Sequence, residues 1–166
     1  MFNKDSNPDE AYEIDEHGRL VLVRSTEATQ RVYLRFTNRT TRPVDVWWRD
    51  YRGIRRHYLR LDPGTCRDLN SFLTHPWEFT DGTTSERYVI NNKPVFRAPK
   101  EIGRNRTNWN ITISVRTLRL TALLSLATQL SDPSAVDALG LPRVLAEELQ
   151  YLIATVHRQR PAESDG

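Results

Sequence analysis

Apolar and polar residues alternate with a period of two through the first two thirds of the chain, the spacing that puts successive side chains of a strand on opposite faces. In "RVYLRFTN" Val32, Leu34 and Phe36 face one way and Tyr33, Arg35 and Thr37 the other; in "VDVWW" Val44, Val46 and Trp48 share a side. "NRTTRP" is the turn between them, and "LDPGT" is a second turn, in which Pro63 sets φ and Gly64 is free to take a positive one. "RYVINNKPVF" reads as strand, turn at Asn91 to Pro94, and strand, and "WNITISV" alternates again through Ile111, Ile113 and Val115. Short strands separated by turns, with no helical period among them, predict an antiparallel β-sandwich over 19–115. Residues 1–18 hold charge and turn formers without a sustained period and are expected to be a flexible acidic tail.

At Arg116 the period changes. "TLRLTALLSLATQL" lacks Gly and Pro and is filled with helix formers, so it predicts a helix that Asp132-Pro133 stops, with room for a short helix in "SAVDALG". "LPRVLAEELQYLIATV" starts with Pro142 near its first helical position and spaces Leu141, Val144, Leu145, Leu149, Leu152, Ile153 and Val156 by threes and fours. The fold class is therefore mainly β: a sandwich followed by a small α-helical domain over 116–156 and a second flexible tail over 157–166. The first helix carries too much apolar surface for one core. At about 100° per residue its leucines and alanines cover an arc of roughly 240°, whereas a helix on a single core needs a stripe of only about 100° or somewhat more. The rest is covered either by this chain's sandwich or by another protein.

Composition narrows the classes without choosing among them. The 166 residues are enough for one domain with a small appendage, and 38% apolar content is enough for a core. No apolar run is long enough to span a membrane and no secretory signal is readable, so a cytoplasmic and nuclear protein is expected. A single cysteine, Cys66, excludes an internal disulfide and a cysteine-based zinc site, and no cofactor or metal is expected. Asn38, Asn105 and Asn110 begin glycosylation sequons that, without secretion, are read as coincidental. The net charge is only +3, yet arginines crowd "RDYRGIRRHYLR" beside tyrosines. That pairing suits single-stranded nucleic acid; it equally suits an edge strand whose charges discourage sheet pairing.

The candidate chemistry lies in "NSFLTHPWEF" and just upstream of it. Ser71, His75 and Asp81 supply the residue types of a nucleophile, base and orienter, but no Gly-x-Ser-x-Gly elbow accompanies them. His57, Cys66 and His75 lack zinc-like spacing. One of the adjacent Trp47 and Trp48 must point away from the core. Recognition fits better than catalysis: aromatic faces at Trp48, Tyr58 and Trp77 can cradle a flat, weakly polar ring, with the Ser71 hydroxyl and His75 imidazole as donor and acceptor. A proline bearing one hydroxyl suits such a pocket, although these residues alone do not single it out.

Seven segments in order, "FTNRT", "RPVDVWW", "LDPGT", "NSFLTHPWEF", "NNKPVF", "NITISVRTL" and "LAEELQYL", resemble the von Hippel-Lindau family, substrate receptors of cullin-RING ubiquitin ligases. The resemblance covers residues 20–156 and implies a β-sandwich joined to a small helical domain. It places the family's hydroxyproline pocket on Trp48, Tyr58, Ser71, His75 and Trp77, with the hydroxyl contact on Ser71 and His75 and a substrate backbone contact on Tyr58. Asn70 and Phe72 match peptide-contacting positions where the family usually has His and Tyr. Thr117, Leu118, Ala122 and Leu126 resemble the elongin C box, with Ala122 in place of its Cys, and Leu141-Pro142 resembles the cullin box. The resemblance thus implies a non-catalytic receptor. It would hold prolyl-hydroxylated hypoxia-inducible factor alpha and attach, through elongins B and C, to a cullin and a RING subunit. The alternative is a stand-alone peptide- or nucleic-acid-binding sandwich.

Overall fold

Val32, Leu34 and Phe36 have no exposed surface, and around them the first of two units is assembled. In this computed structural model, which describes residues 9–158, the chain divides between Ser114 and Val115. The first unit contains β1 (Tyr12–Ile14), β2 (Leu20–Leu22), β3 (Arg31–Asn38), β4 (Val44–Arg49), β5 (Arg55–Leu61), β6 (Cys66–Phe72), β7 (Trp77–Asp81), β8 (Arg87–Tyr88) and β9 (Thr107–Ile111). One sheet runs β6-β3-β9 and a second β5-β4-β7-β8, with β1 and β2 forming a separate ribbon. Inward residues of both sheets meet in one core, so the unit is a β-sandwich. Phe36 sits at its centre, with the rings of Trp77, Phe79 and Phe96 edge-to-face at 5.6, 5.1 and 5.7 Å.

The alternation read from the sequence matches β3 and β4, where Val32, Leu34, Phe36, Val44 and Val46 are fully buried. The pairing is antiparallel except at one place: β9 runs parallel to β3. The corner between the sheets is organised by Asn38, which has no exposed surface. Its amide donates to the carbonyls of Arg42 and Leu61 at 2.7 and 3.1 Å and its Oδ1 accepts from Thr40 N–H at 2.9 Å. Both amide hydrogens are thus committed inside the fold, which closes this sequon to glycosylation. The "LDPGT" turn carries the chain from β5 to β6 across the sheets, with Gly64 at φ +73°.

Three local readings change. Residues 12–22 form a hairpin where a tail had been expected: Asp15 Oδ1 accepts from the backbone N–H of His17 and Arg19 at 2.9 and 2.8 Å, and Glu13 makes a bidentate pair with Arg97 at 2.9 and 2.6 Å. The parts of the two expected tails at 1–8 and 159–166 lie outside the described residues. The strand expected to continue through Val115 ends at Ile111, and Val115 opens a helix with its side chain in solvent. "RYVINNKPVF" contributes only a two-residue strand, followed by a tight turn in which Asn91 and Asn92 both take positive φ, at 50° and 59°.

The second unit holds α1 (Val115–Gln129), a 3₁₀ segment at Pro133–Leu139 and α2 (Arg143–Arg158). Asp132 caps the 3₁₀ segment by accepting from Ser134 N–H at 2.9 Å, and Gly140, at φ 62° and ψ 28°, ends it in the left-handed region that glycine tolerates best. Its core is Leu123, Ala127, Val136, Leu149 and Ile153, flanked by Leu126, Leu130, Leu141 and Leu145. No helix of the described residues is long and apolar enough to cross a membrane.

Candidate functional site

Trp48 and Trp77 face each other across β4 and β7 and, being directly opposed, project to the same side. Trp77 is buried and donates from Nε1 to Ser71 Oγ on β6 at 3.1 Å. Accepting that proton leaves the Ser71 hydroxyl free to donate its own. The half-buried Trp48 donates from Nε1 to Ser25 Oγ at 2.9 Å, and the Ser25 hydroxyl donates in turn to the Arg49 carbonyl at 2.6 Å. This side chain is therefore tied back to its own strand.

His75 lies in the short loop between β6 and β7, its N–H donating to the Phe72 carbonyl at 3.1 Å. Its ring lies 5.3 Å from that of Trp48 at a tilt of 31°, and 5.2 Å from Phe72. At 8% exposure the imidazole is largely cut off from water. Burial lowers its pKa, partly opposed by a hydrogen bond to the Glu27 backbone, so the ring is neutral, with one donor and one acceptor nitrogen.

Tyr58 reaches the group through an irregularity. β4 and β5 pair Val46 with Leu59 but Trp47 with His57, which makes Tyr58 the extra residue of a β-bulge. Bulges re-aim side chains; here the half-exposed Tyr58 ring stands edge-on to Trp77 at 5.1 Å. Trp48, Tyr58, Ser71, His75 and Trp77 therefore cluster at one end of the sandwich, with Phe72 beside His75. Asn70 is exposed and accepts from Arg106 Nη2 at 3.4 Å. Sequence reasoning missed Tyr51, whose hydroxyl is 3.3 Å from His75 Nε2, and Ser25, which holds Trp48. Neither has a periodic signal, because one is in a turn and the other in an irregular segment.

The rival chemistries come apart in space. Asp81 is committed to the far end of β7, accepting from Thr83 N–H, Thr84 N–H and Tyr88 Oη at 2.7, 2.9 and 2.8 Å. Those bonds hold its carboxyl well below the usual carboxylate range, while burial and the bond to Asp81 push Tyr88 up to about 12, so Asp81 orients no histidine. The Arg-rich run spans the end of β4, a turn and the edge strand β5, and its strand arginines already have partners. Arg56 pairs with Asp50 and Arg60 with Asp45, while Arg55 stacks on Trp47 at 4.4 Å. Among the described residues no group of three or more His, Cys, Asp or Glu side chains is placed to hold a metal ion.

On α1, Leu118, Leu120 and Leu124 are 54%, 47% and 39% exposed, so the apolar surplus is real. Ala122 lies one turn from Leu118 and is also exposed; Thr117 is half-buried, and Leu126 turns into the helical core. Leu141 packs in that core, while Pro142 is exposed and its carbonyl accepts from Ala146 N–H at 3.0 Å.

The chain thus combines a β-sandwich that carries an aromatic and hydroxyl cluster with a helical unit whose α1 leucines are exposed. Residues 23–104 match the family model for the VHL beta domain. The chain is 26% identical over 151 residues to "Protein Vhl" of Drosophila melanogaster, covering 81% of this chain and 85% of that protein. The chain is thus similar to VHL proteins in its β domain and, through the Drosophila relative, over most of its length.

Proposed function

We propose that the chain is the substrate-recognition subunit of a cullin-RING E3 ubiquitin ligase, binding prolyl-hydroxylated hypoxia-inducible factor alpha and directing it to ubiquitination and proteasomal degradation. The observation that carries this reading is the gathering of Trp48, Ser71, His75 and Trp77, with Tyr58 delivered by its bulge, in a chain with a VHL beta domain. The ligand's pyrrolidine ring would pack against Trp48 and Trp77, and its hydroxyl would meet Ser71 and His75. Tyr58, with Asn70 and Phe72, would contact the flanking peptide. The receptor makes and breaks no covalent bond in this role. Its helical unit docks elongin C through the exposed Leu118 and Ala122 with Thr117 beside them and Leu126 supporting that face from the core, with elongin B behind it, and a cullin and RING subunit through Pro142, backed by Leu141. A cytoplasmic and nuclear location follows from that role.

The discriminating power is of the right size. Plain proline would leave the Ser71 hydroxyl and the His75 imidazole without ligand partners, at about 1–3 kcal/mol for each buried group. That favours the hydroxylated peptide by more than about tenfold. The test is titration of one peptide, carrying proline or 4-hydroxyproline at a single position, against the chain co-expressed with elongins B and C. Binding that ignores the hydroxyl would overturn the reading. Salt-sensitive binding to single-stranded nucleic acid would favour the stand-alone module instead.

A further inference from the structure

His75 is packed by rings on three sides, yet packing cannot tell its nitrogens from its carbons. Trp48, Phe72 and Tyr51 surround the imidazole with ring centroids at 5.3, 5.2 and 5.7 Å. They fix the plane of the ring, but an imidazole rotated by half a turn fills nearly the same volume, and only hydrogen bonds distinguish the two orientations and the two tautomers. Two contacts do so: a hydrogen bond to the Glu27 backbone, and the side-chain contact with Tyr51 Oη, 3.3 Å from Nε2.

That hydroxyl is delivered by a well-anchored turn. Asp50 Oδ1 accepts from the backbone N–H of Arg52 and Ile54 at 2.9 and 3.0 Å, and Gly53 N–H donates to the Asp50 carbonyl at 3.0 Å. The buried Arg49 guanidinium donates to the Gly53 carbonyl at 3.0 Å. Gly53 has φ +81°, and a Cβ there would sit 2.9 Å from the Leu22 side chain, so the turn has little freedom to take another shape. Tyr51 is itself 44% exposed and makes little use of its apolar surface. The specific things its ring does are to stand edge-on to Trp48 and His75 and to place its hydroxyl on Nε2.

We infer that Tyr51 is a positioning residue for ligand recognition: its hydroxyl, bound to His75 Nε2, sets which edge of the imidazole is offered to the ligand's hydroxyl. The inference rests on reading the pocket as a hydroxyproline site.

Tyr51→Phe keeps the ring and both edge-to-face contacts and removes only the oxygen. The 166-residue chain and this variant are titrated with the paired proline and 4-hydroxyproline peptides, and the ¹⁵N resonances of the His75 ring are recorded for both. Losing one orienting hydrogen bond weakens the hydroxylated peptide by about three- to tenfold. The unhydroxylated peptide binds as before, and the His75 nitrogens shift toward a mixture of tautomers. A wild-type chain that fails to distinguish the peptides refutes the pocket reading itself. If wild type discriminates and Tyr51→Phe keeps both that discrimination and the wild-type His75 spectrum, the pocket stands and the role of Tyr51 falls. Equal weakening of both peptides also overturns it, since that is the loss of a wall contact. Where the proline peptide binds too weakly to titrate, the His75 spectrum decides.

Discussion

Arg49 and Glu78 form an ion pair in which both side chains are almost dry, at 2% and 4% exposure. The guanidinium lies along the Glu78 carboxylate through Nε and Nη2 and donates from Nη1 to the carbonyls of Asp9 and Gly53. Removing one partner strands the other charge in a place water cannot reach, which typically costs about 3–5 kcal/mol. Arg87 Nη1, 3.9 Å from Glu78, is too distant and too exposed to replace Arg49. Glu78→Ala is therefore expected to remove about 3–5 kcal/mol from a sandwich whose total stability is on the order of 5–15 kcal/mol. Arg49→Met should cost a similar amount, and Arg49→Met with Glu78→Leu less than the two singles added together, because no unpaired charge remains. Urea titration followed by tryptophan fluorescence measures this in the correct unit, since Trp47, Trp48, Trp77 and Trp109 all precede Ser114. A loss below about 1 kcal/mol for Glu78→Ala, or strict additivity in the double variant, would show that the pair is hydrated in solution and refute the reasoning.

Other consequences are open to simpler measurements. Burial lowers the pKa of His75, so as pH falls through the unfolded value of about 6.5 the unfolded chain gains a proton that the folded one resists. Urea midpoints should drop below that pH, and His75→Gln should flatten the dependence. Phe36→Ala, which empties the centre of the aromatic cluster, should destabilise the sandwich by about 3–5 kcal/mol in the same titration. Ser71→Ala should weaken hydroxylated peptide by about tenfold while leaving elongin C capture intact, and Leu118→Glu should do the opposite. Loss of both activities in both variants would defeat the division into two surfaces.

Strands and their inward faces could be anticipated where one face meets the core, since Val32, Leu34 and Phe36, or Val44 and Val46, declare that face by their spacing. The β1–β2 hairpin escaped because Tyr12, Ile14 and Leu20 remain exposed, so their alternation reflects no core. It is held by Asp15 turn bonds and the Glu13–Arg97 pair, a contact 84 residues apart in sequence. The same limit governs the site. Trp48, Ser71, His75 and Trp77 were visible as residue types in two short segments, but the hydrogen bond from Trp77 to Ser71 joins strands of different sheets. The bulge at Tyr58 leaves no mark in composition. Tyr51 looked like one more aromatic in an Arg-rich run until the turn at Gly53 folded it onto His75.

Under the proposed function, these connections are what would make a shallow site strict. A hydroxyl group discriminates only if its partners are already held where the ligand will arrive; otherwise much of the binding energy goes into ordering them. Each wall here is tied to a neighbouring segment in the free chain: Trp77 to Ser71, Trp48 through Ser25 to the Arg49 carbonyl, and His75 to Tyr51. Two of the three ties lead to Arg49, through its backbone carbonyl and through its side-chain bond to Gly53 in the turn that carries Tyr51. The buried ion pair is thus coupled to pocket geometry as well as to stability. A variant with the pair replaced by apolar residues can remain folded and still recognise hydroxylated peptide less sharply, because the Gly53 carbonyl has lost the donor that fixes its turn.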